Sequence, residues 1–223
     1  MPAPLSIVIP TMNSGSGLHT CLSALMEGIE AGLIAELIVT DGGSDDETRA
    51  VADAWGAEIV TGPPSRGGQL RRGCDAARGT WLLILHADTV LDAGWTSAVD
   101  AHLGQADAGY FALRFDRGGR AVAAWANLRA RLFGLPYGDQ GLLIRRSLYD
   151  RVGGYADIPL MEDVAMARAL RGHLTQLDGI AITSGEKYRQ QGWLRRGARN
   201  LWTLVQYLAG VNVDTLARQY RRE

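Results

Sequence analysis

Short apolar, β-branched segments alternate with stretches of helical spacing through the first ninety residues, and this rhythm constrains the fold more than any other feature. Residues 5–9 (LSIVI) read as a buried strand. Leu18, Cys21, Leu22, Leu25 and Ile29 then share one helical face in a segment running to about Ala31. A second strand follows at 37–40. Ser44 and Glu47 have the spacing of a capping box that opens a helix through Trp55. A strand at 58–61, a helix over 67–77 and a strand at 81–85 complete the series. Such a succession predicts an α/β fold: a doubly wound, mostly parallel sheet with right-handed crossovers and helices on both faces. From residue 109 the order loosens, with strands expected at 110–115 and 142–145 and helices at 122–132 and from near Glu162. No repeat, low-complexity tract or long linker divides the chain, so 1–223 reads as one domain.

Composition narrows the class. At 223 residues, 47% hydrophobic content is ample for a core, and a formal net charge of -1 provides no field for collecting a polyanion, which argues against a dedicated nucleic-acid binder. Cys21 and Cys74 form no CxxC or CxxH pattern and are expected to pack as small apolar side chains. The opening MPAPLSIVIP has neither a basic n-region nor a long apolar stretch, so neither a signal peptide nor an anchor is expected and a cytoplasmic setting fits.

Open α/β sheets bind ligands at the C-terminal ends of their strands. Four polar loops leave those ends. Pro10, Thr11 and Asn13 follow the first strand. Asp41 ends the second, where its carboxylate either accepts hydrogen bonds from a base or ribose or closes a turn before Gly42 and Gly43. In PPSRGGQLRRG, Arg66 stands beside Gly67, Gly68 and Gln69 at a helix start, which suits an anion or is an ordinary basic loop. His86 and Asp88 follow the run at 81–85. Asp88 can hold a divalent cation that neutralises a phosphate, or it caps a turn. In the second half, Glu162 and Asp163 open a helix, as dipole-favoured acids or with Asp163 as a general base. Asp139 and Gln140, between glycines, either bond a sugar hydroxyl or shape a turn.

VIPTMN, VTDGGSDDET, SRGGQLRRG, LHADT and the GGY-x5-MED stretch, in that order, resemble the family-2 glycosyltransferases of the GT-A fold. The likeness is greatest to a small bacterial subgroup with LHADT and PLMED motifs, associated with radical-SAM and selenium-related gene neighbourhoods. The resemblance implies inverting transfer of a sugar from a nucleotide diphosphate donor, most often a UDP-sugar, to an acceptor hydroxyl. It implies that 1–108 form a nucleotide-binding half and 109–185 an acceptor and catalytic half. Asp41 would hold the uridine or ribose, Pro10, Thr11 and Asn13 would line the base pocket, and Arg66 would lie near the diphosphate, with Gly67 and Gln69 also binding the nucleotide. Asp88 matches the last aspartate of the family's metal motif, and His86 stands in place of its first, so that the divalent metal is Mn2+ or Mg2+. Asp163, with Glu162 beside it, matches the catalytic base. The later QxxRW signature is not recognisable, Gln190 to Trp193 being a loose echo.

The tail, 186–223, is basic. From Lys187 to Arg222 it has eight Lys or Arg against Asp214 alone, and Leu201, Trp202, Leu204, Val205 and Leu208 form a helical apolar stripe. That stripe either lies on an anionic membrane or packs on the domain or on a second copy of the chain. Two rival functions stand beside transfer. One is a non-catalytic nucleotide-sugar-binding protein. The other is a dinucleotide-dependent oxidoreductase, suggested by Gly15 and Gly17 before a helix.

Overall fold

The computed structural model describes residues 3–222; Met1, Pro2 and Glu223, the ends of the one-domain reading, lie outside the described residues. The first half runs β1 (Leu5–Thr11), α1 (Gly15–Ala24), α2 (Met26–Glu30), β2 (Ile34–Asp41), α3 (Thr48–Ala54), β3 (Glu58–Thr61), α4 (Arg66–Ala76), β4 (Trp81–Ile84), β5 (Thr89–Leu91) and α5 (Trp95–His102). The second runs β6 (Ala108–Phe115), α6 (Arg120–Phe133), a 3-10 turn (Gly138–Gln140), β7 (Leu142–Arg145), α7 (Arg146–Arg151), α8 (Glu162–Ala169), β8 (Leu174–Thr183), α9 (Glu186–Gln191), α10 (Trp193–Leu208) and α11 (Val213–Arg222).

One eight-stranded sheet, in the order β3-β2-β1-β4-β7-β6-β8-β5, carries strands from both halves. It is mostly parallel: β3, β2, β1 and β4 run together and β6 is parallel to β8, whereas β7 opposes both its neighbours and β5 opposes β8. Strand periodicity explains the two layers. In β1, Leu5, Ile7 and Ile9 face the core shared with Leu18 and Leu22 of α1, while Val8 faces Leu70 and Cys74 of α4. Both cysteines are free and buried, and burial pushes each thiol up to about 12, the state of inert packing groups.

Local chemistry departs from the expected pattern in places. The helix expected to reach Ala31 is two, α1 and α2, and starts at Gly15. Ser44 caps nothing: its hydroxyl turns back to Asp41, and α3 begins four residues later. Gly15 and Gly17 frame no dinucleotide loop. The Gly15 N–H bonds Asp46 Oδ2 at 3.2 Å and a Cβ there would lie 2.5 Å from the Glu47 side chain, so carboxylates occupy the ground a diphosphate would need.

In the tail, Leu204 and Thr203 are buried, but Leu201, Trp202, Val205 and Leu208 face outward, so the stripe packs on the protein along one edge only. The side chains of Arg221 and Arg222, counted in the tail's charge, lie outside the described residues. Among the described residues no helix is long and apolar enough to cross a membrane.

Candidate active site

The loops after β1 and β2 are tied together from within. Asp41 is fully buried. Its Oδ1 accepts from the hydroxyls of Thr11 (3.1 Å) and Ser44, and its Oδ2 accepts from the N–H groups of Gly43 (3.0 Å) and Ser44 (2.9 Å). Burial pushes this carboxyl up, but the bonds from Ser44, Gly43 and Thr11 outweigh it and hold the pKa below the ordinary aspartate value. With both oxygens engaged, Asp41 shapes the loop, and a direct grip on a ribose finds no exposed oxygen. Gln69 is likewise turned inward, its amide donating to the carbonyls of Thr11 (2.7 Å) and Thr40 (2.9 Å) and so clamping two strand ends. Gly67 faces protein: its N–H bonds the Ile158 carbonyl at 3.1 Å, and a Cβ there would lie 2.0 Å from the Ala156 oxygen. Asn13, at φ 50°, stands exposed at the lip with Pro10 half-buried behind it, and its Oδ1 accepts from the Asp45 N–H.

Across the crevice, Arg66 opens α4 behind the Ser65 cap. Its Nε lies 3.2 Å from Glu162 Oε1 and its Nη2 3.2 Å from His86 Nε2. A guanidinium has only donors, so His86 accepts there through a neutral ring. Burial, then Arg66 and Lys187, push the His86 pKa down to about 3, in agreement with that state. The Nε2 lone pair is engaged by Arg66, so a cation at His86 would have to displace the guanidinium. Glu162 is buried with neither oxygen hydrogen-bonded; burial raises its carboxyl against the pull of Arg66.

The other carboxylates come from the second half. Met161, forced to φ 66°, delivers the Glu162–Asp163 pair at the start of α8. Asp163 Oδ2 accepts the Gly138 N–H at 2.9 Å and Oδ1 accepts the Val164 N–H at 2.7 Å, which fixes the carboxylate's direction. On the adjoining 3-10 turn, Asp139 Oδ1 is buried without a partner; burial, with Asp163 and Asp88 adding and Arg129 opposing, raises its pKa to about 6. Gln140 is spent on structure, its amide donating to the Phe111 carbonyl (3.1 Å) and accepting from the Tyr137 N–H (3.3 Å).

Arg66, His86, Asp88, Asp139 and Asp163 therefore line one cavity of about 170 Å³. It is also lined by tail residues for which the sequence suggested no role in the site: Lys187, Tyr188, Arg196, Asn200 and Tyr220. The QQGW segment carried a usable signal. Gln191 Oε1 anchors Arg196 (2.7 Å) and Arg199 (2.8 Å), and Trp193 stacks on Tyr188 against Phe115.

Among the described residues no group of three or more His, Cys, Asp or Glu forms a cage for a metal. The donor set still fits a magnesium- or manganese-type ion of the kind that takes one or two carboxylates and completes its shell with substrate phosphates and water. Asp88 is exposed at the cavity edge, and the unpartnered Asp139 Oδ1 is a second oxygen in the same cavity.

Comparison with known proteins bears on the fold and the family. A mycobacterial PGL/p-HBAD biosynthesis glycosyltransferase is 36% identical over 114 residues, covering 47% of this chain and 44% of that protein; the chain thus matches less than half of that relative's length. The mannosyltransferase PcManGT from Pyrobaculum calidifontis, solved with GDP-Man and Mn2+, superposes with a TM-score of 0.67 at 18% identity, covering 89% of this chain and 61% of that one. Glucosyl-3-phosphoglycerate synthase from Mycobacterium tuberculosis, solved with Mn2+ and UDP-Glc, gives 0.59 at 20% identity, covering 81% and 69%. These likenesses establish the GT-A fold. The family model described as "Glycosyl transferase family 2" matches residues 6–157, well over half the chain, and the chain accordingly belongs to glycosyl transferase family 2.

Proposed function

We propose that the chain moves a sugar from a nucleotide diphosphate sugar, of UDP type, to an acceptor hydroxyl in one inverting displacement. The observation that carries this reading is the meeting of Arg66, Asp88 and Asp163 in a single cavity at the C-terminal edge of the sheet. The donor class is supported by the GDP-Man and UDP-Glc held by the two structural neighbours. The donor's base would rest against Pro10 and Asn13, in a loop whose shape the buried Thr11, Asp41 and Gln69 maintain.

Asp163 takes the acceptor's proton as the new bond forms at the anomeric carbon and the bond to the diphosphate oxygen breaks. The family match ends at residue 157, so this role rests on the position of Asp163 in the cavity. Negative charge growing on the leaving diphosphate meets the guanidinium of Arg66 and the ammonium of Lys187. Glu162 acts through Arg66, whose guanidinium it orients. A divalent ion held by Asp88 and the diphosphate oxygens would supply further neutralisation of the leaving group.

One observation favours a second assignment of the base: Asp139 has an unpartnered oxygen and a pKa of about 6, suited to proton transfer near neutrality. Calorimetry with UDP and GDP, with and without manganese, tests the donor site. Turnover of Asp163→Asn and Asp139→Asn with a competent acceptor assigns the base. Retention of anomeric configuration in the product, read by NMR, would exclude the single displacement.

A further inference from the structure

Among the described residues, nine of the thirteen large hydrophobic side chains that stand exposed belong to two helices, α6 and α10. On α6, Trp125, Leu128, Leu132 and Phe133 are 45–66% exposed. On α10, Leu201, Trp202, Val205 and Leu208 are 42–61% exposed. Single exposed apolar residues are ordinary, but a cluster on two neighbouring helices marks a contact surface. The helices share that surface: Trp125 and Leu201 line one groove, together with Val122 and Ala126. The groove leads inward, because Phe115, Tyr137, Asp139, Tyr188 and Asn200 line both it and the cavity that holds Asp163.

Charge identifies the occupant. Neither helix contains an Asp or Glu, and Arg120, Arg131 and Arg195 stand exposed beside the apolar residues. A two-fold contact between copies would bring these acid-free helices together with no carboxylate of their own to pair the arginines. An anionic lipid surface offers apolar depth for the tryptophans and leucines and headgroups for the guanidinium groups. A water-soluble acceptor gains nothing from an entrance walled by Trp125, Val122 and Leu201.

We propose that the α6–α10 face rests on an anionic bilayer and that the acceptor is a membrane-borne amphiphile, whose hydroxyl end reaches Asp163 through the groove between these helices. The acceptor class rests on the sugar-transfer reading; the seating does not.

Flotation of the full chain with phosphatidylcholine vesicles, with and without phosphatidylglycerol, tests the seating. The expected result is capture by the anionic vesicles, weakened about tenfold or more by Trp202→Glu and Val205→Glu and by removal of phosphatidylglycerol. Both substitutions are at exposed positions, and circular dichroism checks their folding. Absence of the wild-type chain from anionic vesicles overturns the seating, as does a dimer seen by light scattering that Trp202→Glu dissociates while vesicles stay unbound. For the groove, decyl β-glucoside below its micellar concentration should bind about tenfold or more tighter than methyl β-glucoside, and Leu201→Glu should remove the difference. Equal binding of the two overturns the amphiphile assignment. UDP and GDP titrations of the same samples separate the failures: nucleotide binding without flotation defeats this inference alone, and flotation without nucleotide binding defeats the donor reading alone.

Discussion

Asp163 and Asp139 face the same cavity in opposite hydrogen-bond states, one held by two backbone N–H groups and the other unpartnered at Oδ1. Asp163→Asn preserves shape and an accepting oxygen but cannot take a proton. Turnover should fall by about a hundredfold or more while the donor dissociation constant stays near its original value, since a base acts in the transition state. Asp139 makes a separate prediction about stability. Its folded pKa of about 6 lies above the ordinary value of 3.8, so between those pH values the folded chain binds a proton that the unfolded chain does not. The wild type therefore loses stability as pH rises through that window and carries the full penalty above it. Asp139→Asn has no such penalty, and denaturant titrations should find it more stable by on the order of 2 kcal/mol at pH 8 and level with the wild type near pH 4.

Helix α4 shows how an element can aim a side chain by packing. Gly67 and Gly68 let its first turn press against the chain at 156–158, and this close approach holds Arg66 over Glu162 and His86. Gly67→Ala would put a methyl group 2.0 Å from a backbone oxygen, and overpacking of this kind costs about 1–3 kcal/mol. Thermal melts should show that loss together with weaker UDP binding, while Gly104→Ala, which meets only open space, should change neither. Legibility in the sequence follows the same physics. Strands β1 and β4 and the buried end of β2 could be read because doubly buried strands are continuously apolar and their ends mark the crevice, whereas β3, at the sheet edge, offered only Ile59 and Val60. β5 is three residues long, too short for any period, and β8 carries Asp178 and Gly179 in its middle, which hides it. Within the site, the loops were legible, but the direction of their side chains was not. Asp41, Gln69 and Gly67 have the composition of a ligand-binding loop and use it on their own backbone and side-chain neighbours. The tail's amphipathic period was plain, yet periodicity does not say which cavity Tyr188, Arg196 and Tyr220 would wall.

For the molecule as a whole, a donor that binds only the folded state should stabilise it by mass action, by about 2.7 kcal/mol at a hundredfold excess over the dissociation constant. UDP with manganese should therefore raise the melting temperature by several degrees. Chelation by EDTA, or Asp88→Ala, should remove the metal-dependent part and leave the response to UDP alone. The sheet's connectivity has a temporal consequence. Strands β1 to β4 pair within one continuous stretch of chain, but β5, which begins at Thr89 beside Asp88, pairs with residues 181–183, ninety or more positions away. Closing so long a loop is entropically slow compared with the local crossovers. A chain leaving the ribosome can thus assemble its parallel half while the Asp88 loop waits for β8, and the charged crevice is completed only once β8 has been made. Pulsed hydrogen exchange during refolding should find the amides of 6–9 protected before those of 89–91.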